Sequence, residues 1–158
     1  EYCLHVAEEE AGHDVLALKD LESLGLRSEA FVRDIQPASS LALVEIFQRF
    51  AHGPSPIAVL GYAYALERFA LFQTASSIEA IEALLPPGIN ATRCLRVHSS
   101  VGTDAHHVAE SVDFIASLGR DDRKEIAMAA FETAVVMAAP SDYPGNEAMA
   151  CIIGRYRS

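Results

Sequence analysis

Residues 57–69 read IAVLGYAYALERF, a run of ten uncharged residues closed by Glu67 and Arg68. The run does not alternate apolar with polar, and it is too long for one buried strand. It reads as a helix that is apolar almost all round, and such a helix belongs at the centre of an all-α domain. Ser55-Pro56 supplies an N-cap and a first helical residue, so the helix is expected from Ile57 to about Ala75. Glu67 is its anomaly. Three- and four-residue spacing places it with Leu60, Tyr64 and Leu71. A carboxylate among such neighbours is costly to bury unless it is ion-paired or bound to a metal. An arginine from another segment or a cation would each meet that need.

The flanking segments repeat the helical period. Leu4, Ala7, Ala11, Val15 and Leu18 predict a first helix from Glu1 to Leu24, with Gly25 as its stop. A short helix follows Ser28 and ends by Pro37. Ser39 or Ser40 caps another, through Leu41, Val44, Ile46 and Phe47, closed by Gly53. Past the central helix, Ser77 caps a short helix that Pro86-Pro87-Gly88 terminates. A long helix is expected from about Ala91 to Leu118, and another from Asp121 or Asp122 through Ile126 to Ala139, stopped by Pro140. The tail, 141–158, has Pro144 and Gly145 and then a short apolar run. With no repeat and no linker, a single helical domain over 1–158 is expected.

Composition narrows the function. The charge is 12 − 22 = −10, which argues against nucleic acid or an anionic membrane as partner, since both need a basic face. Cys3, Cys94 and Cys151 form no Cys-x-x-Cys pair, so neither a disulfide framework nor a zinc knuckle is expected, and a reducing cytoplasm is. The uncharged run from Gly53 to Leu66 is too short, and too interrupted by proline, to span a bilayer. The sequence opens on Glu1, already inside the expected helix, so further helices are expected to precede it.

Three clusters carry chemistry. Glu10-Ala-Gly-His13 places a carboxylate and an imidazole three apart, a unit that carboxylate-bridged di-iron bundles use, although Glu8-Glu9-Glu10 also reads as a solvated face. Glu67 is the second. The third is His98-Ser-Ser-Val-Gly-Thr-Asp104-Ala-His106-His107, where Asp104 and His107 repeat the three-residue spacing. Five of the six histidines, His5, His13, His98, His106 and His107, fall in the two expected helices that carry the first and third clusters. Mixed imidazole and carboxylate suits iron, manganese or zinc. Glu10, His13, Glu67, His98, Asp104 and His107 suffice for two metal ions with positions left for O2 and a substrate. On an ideal helix His98 and His107 point to opposite sides. Either the helix breaks near Gly102, or one of the three residues there is not a ligand. Tyr64 is a candidate hydrogen-bond or electron donor, or simply core, and Phe47, Phe69 and Phe72 are candidates to line a substrate pocket.

These stretches resemble the haem-oxygenase-like di-iron oxidases and oxygenases, also known as iron-containing redox enzymes. HVAEEEAGHDVLALKDLESLG (5–25) is similar to the first ligand helix of that family, IAVLGYAYALERF to the central one, and LRVHSSVGTDAHHV (95–108) to the last. The family pattern in the last is His-x3-Asp-x2-His. Here five residues separate His98 from Asp104, an insertion of two around Gly102, and His106 is the alternative imidazole. The resemblance implies an all-α haem-oxygenase-like bundle, two iron ions held by Glu10, His13, Glu67, His98, Asp104 and His107, and O2 as co-substrate. Manganese is compatible with the same donors. It implies oxidation of a small organic substrate of the amino-acid, fatty-acid or aromatic type, and a homodimer is compatible with such bundles. A metal-free protein of the thiaminase type, with Cys94 as nucleophile, and a non-catalytic binding module are the alternatives.

Overall fold

The computed structural model describes residues 2–102, 104–139 and 145–157. They form ten α-helices: α1 (Tyr2–Glu9), α2 (His13–Ser23), α3 (Ser28–Asp34), α4 (Ala38–Ala51), α5 (Val59–Ala70), α6 (Ala75–Glu82), α7 (Arg93–Val97), α8 (Asp104–Ser117), α9 (Arg120–Met137) and α10 (Asn146–Arg155). Among the described residues the only β pairing is an isolated antiparallel bridge between Leu26 and Arg157. It straps α10 to the α2–α3 corner, where the Arg27 amide donates to Tyr156 O at 2.8 Å. No described helix is long and apolar enough to cross a membrane, and none of the three cysteines is in a disulfide.

The uncharged run is central, as its composition requires. A 3-10 turn over Pro56–Ala58 leads into α5, which packs chiefly on α9 and then on α8, with α4 covering one flank. The α5–α9 contact is close because Gly61 has no side chain. A Cβ there would sit 2.1 Å from Ile126 O and 2.8 Å from Ala130 N. Ile126, Ala129 and Thr133 form the buried stripe of α9 against it. Thr133 meets its own need for a partner by donating to Ala129 O at 2.8 Å.

Two expected helices are broken. The first does not run unbroken to Leu24, because Gly12 takes a left-handed conformation (φ 90°) and splits it into α1 and α2. The long helix expected from Ala91 to Leu118 is interrupted over 98–102, leaving α7 and α8. Gly102 is required in that interruption, since a Cβ would lie 1.9 Å from Val97 O. Smaller differences follow from capping. The central helix stops at Ala70, short of Ala75. Thr74, not Ser77, caps α6, and the Thr74 amide donates in turn to Ser77 Oγ at 2.9 Å. Gly119, ahead of Asp121, precedes α9. Pro140 and Pro144 lie outside the described residues.

Candidate metal centre

Four chain segments converge beside α5. Glu10 sits in the turn after α1, His13 opens α2, Glu67 comes from the last turn of α5, and His98 and His107 flank the break between α7 and α8. The pairing of Glu10 with His13 is therefore made across a glycine turn and not along a helix. Asp20 holds the α7 side in place. Its Oδ1 accepts from Arg93 Nη1 and its Oδ2 from the Cys94 amide, both at 2.9 Å, so one buried carboxylate caps α7 and ties it to α2.

Glu10 lies at the middle. Its Oε2 is 2.7 Å from His13 Nδ1 and 3.7 Å from His98 Nε2, while its Oε1 is 3.5 Å from His107 Nδ1. His107 Nδ1 is also 3.8 Å from Glu67 Oε1. The result is two groups, Glu10–His13–His98 and Glu10–Glu67–His107, each with donor atoms within 4.8 Å of one another. One carboxylate serves both. The His107 side chain is 1% exposed and that of Glu67 11%.

This donor set fits iron. Glu10 Oε1 and both ring nitrogens of His107 are buried and make no hydrogen bond. Nε2 lies 2.9 Å from Glu9 Oε2, but the contact lacks hydrogen-bond alignment. Buried polar atoms left in this way are costly, and a cation between Glu10 Oε1 and His107 Nδ1 removes the cost for those two. Imidazole mixed with carboxylate is a borderline-hard set suited to iron or manganese.

A cavity of about 330 Å³ opens onto Glu10, Glu67 and His98, walled by Val6, Phe47, Val59, Tyr62 and Leu66. Burial pushes the Tyr62 phenol above its ordinary pKa. A second cavity, of about 360 Å³ between α3, α4 and α10, has no titratable side chain in its wall and lies apart from the centre. Tyr2 stands on the side of Glu67 and Glu110, its ring stacked on Phe114 at 4.4 Å and its hydroxyl 2.7 Å from Ser111 Oγ. Burial, and then the charges of Glu67 and Glu110, raise its pKa against the opposing Ser111 hydrogen bond, so it is a neutral phenol at pH 7.

Of the residues singled out in the sequence, Glu10, His13, Glu67, His98 and His107 come together. Asp104 opens α8, and its side chain lies outside the described residues. His106 turns outward to Glu110 at 3.1 Å with its side chain 70% exposed, so of the two adjacent imidazoles it is His107 that enters the centre. Tyr64 is half-buried and is not in the cavity wall, where Tyr62 stands. Phe47 lines the cavity as expected, whereas Phe69 and Phe72 stand outside its wall and pack on each other at 5.8 Å. Sequence reasoning missed Glu9, Glu110 and Tyr2. Glu110, three residues beyond His107, had the spacing to be found, but Glu9 is masked by its acidic neighbours.

A helical bundle that turns carboxylates and imidazoles from four segments onto two adjoining donor groups, one of them half-exposed, has the layout of an all-α metal-site protein. Within that class, a sequence model of iron-containing redox enzymes matches residues 1–139, and the chain belongs to that family. It is accordingly an iron-containing oxidoreductase on a haem-oxygenase-like helical fold. No curated protein and no solved structure matches it.

Proposed function

We propose that the chain is a non-haem di-iron oxidase or oxygenase that uses O2 on a small organic substrate. The observation that carries this is the Glu10 carboxylate, whose two oxygens face two different donor groups. His13, His98 and Glu10 would hold one ion. Glu67, His107 and the other oxygen of Glu10 would hold the second, with Asp104 as the remaining expected ligand. When bound, the iron pair supplies Lewis acidity and the electrons for O2 reduction.

The chain's own residues do the rest. The apolar wall of the cavity excludes water and receives the apolar body of a substrate. That wall contains no lysine or arginine, so an acidic head group finds its cation only at the iron end, beside Glu10, Glu67 and His98. This favours a fatty-acid or aromatic-acid substrate over one recognised by a basic side chain. Tyr62, protonated at pH 7, is the hydroxyl available to orient it. Tyr64, one turn before Glu67, is left to support α5.

Anaerobic titration with Fe(II), followed by metal analysis, tests the proposal. At least two equivalents per chain are expected, two of them lost together from a His13→Ala/Glu67→Ala variant, with a new absorption when O2 is admitted. A Glu10→Ala variant that takes up as many equivalents as the native chain, or no uptake by the native chain, would refute it.

A further inference from the structure

The iron pair leaves His5 and His106 unused. Each is paired with a glutamate four residues on. His5 Nε2 is 3.4 Å from Glu9 Oε2 on α1, and His106 Nε2 is 3.1 Å from Glu110 Oε1 on α8. These two pairs face each other across the α1–α8 seam. One donor atom from each of His5, Glu9 and Glu110 lies within 4.8 Å of the others. Neither helix carries a lysine or arginine, so two carboxylates meet with no cationic side chain of their own helices to offset them. Glu110 Oε2 is buried and makes no hydrogen bond.

A second observation comes from beneath. His107, 1% exposed, turns its Nε2 edge to within 2.9 Å of Glu9 Oε2 and makes no hydrogen bond there. The buried imidazole thus forms the floor of the outer cluster with the nitrogen that the inner centre does not use.

We propose that His5, Glu9 and Glu110 form an outer site for a first-row divalent cation, with His106 at its rim. Two carboxylates and one imidazole suit manganese, iron, cobalt or zinc. The partial exposure of Glu9 and Glu110, about a third each, leaves room for water ligands and makes this the more open and exchangeable site. It shares no ligand atom with the inner centre. It touches that centre through Glu9 and His107, so a cation held outside draws on the same carboxylate that borders the inner imidazole.

Equilibrium dialysis against Co(II) under argon, with metal analysis of the native chain and variants, tests the site. The double variant His5→Ala/Glu110→Ala is expected to bind one equivalent fewer than the native chain, whatever the inner count. His52→Ala, at an exposed histidine whose Nδ1 lies 3.0 Å from Gln48 O, is expected to match the native chain. A His13→Ala/Glu67→Ala variant is expected to retain the outer equivalent, so a failure of the di-iron reading and a failure of this one register separately. Should the double variant misfold by circular dichroism, the single His5→Ala change at the surface is expected to weaken one class of Co(II) binding by at least about tenfold. Native stoichiometry and affinity in the altered chain would overturn the proposal.

Discussion

Replacing Gly61 by alanine probes the contact on which the centre is hung. In an open helix this change stabilises, by up to about 1 kcal/mol, because alanine loses less backbone entropy on folding. Here the new methyl group would lie 2.1 Å from Ile126 O, against about 3.3 Å for the shortest ordinary C···O contact. The shortfall of about 1.2 Å is met by backbone of α9 on one side and backbone of α5 on the other, so no side chain can swing aside. Overpacking of this kind costs about 1–3 kcal/mol, which exceeds the propensity gain when the obstacle is backbone. For a chain of 158 residues, each kcal/mol moves the melting temperature by about 2–4 °C, so a fall of about 2–12 °C is expected. Parting α5 from α9 also moves Glu67 against His107, whose facing atoms stand 3.8 Å apart, so Fe(II) affinity should fall with stability. Thermal melts in chelator measure the first effect and Fe(II) titration the second. Gly154→Ala, in α10 with open space around the new methyl, is the control and should raise the melting temperature slightly. A Gly61→Ala variant as stable as that control would refute the close approach of α5 and α9.

Asp20→Ala should release the N-terminus of α7 and leave Arg93 with only Ser23 Oγ and Asn90 O in place of its carboxylate, costing about 1–3 kcal/mol and weakening Fe(II) binding through His98; unchanged melting with unchanged uptake would count against it. The Glu82 carboxyl is held below its ordinary pKa by hydrogen bonds from Arg96 and Thr92. Its folded-state pKa is thus the lower one, so this pairing stabilises fully above about pH 4.3 and is lost as the pH falls through the depressed value. Melts of native and Arg96→Ala chains should differ at pH 7 and converge as acid protonates Glu82. Tyr62→Phe should weaken binding of a polar-headed apolar ligand more than Tyr64→Phe does, because only Tyr62 stands in the cavity wall; equal effects in a ligand titration would contradict that placement.

How much the sequence discloses differs from residue to residue. Glu67 is legible because a lone acid in an apolar run violates burial rules, and the structure places it 11% exposed beside an imidazole. The break near Gly102 is legible too, since His98 and His107 cannot share one side of a straight helix. Glu10 and His13 are found by helical spacing, yet they meet across the Gly12 turn, because neither a turn nor a helix separates residues three apart by much. Periodicity cannot rank Glu8, Glu9 and Glu10, three like charges in a row, and it cannot choose between His106 and His107. Those choices depend on how α1 and α8 face each other. Asp20 is illegible for a similar reason, as its partners Arg93 and Cys94 lie more than seventy positions along the chain.

The shared carboxylate rides on an elbow and not on a rod. Glu10 follows the last residue of α1, and the left-handed Gly12 stands between it and His13. Torsion at that joint can reset the gap between Glu10 and His13 without unwinding either neighbouring helix or disturbing Glu67, His98 and His107. Lengthening the elbow by one glycine after Ala11 therefore offers a graded means of altering the spacing of the two donor groups while the rest of the scaffold stays fixed.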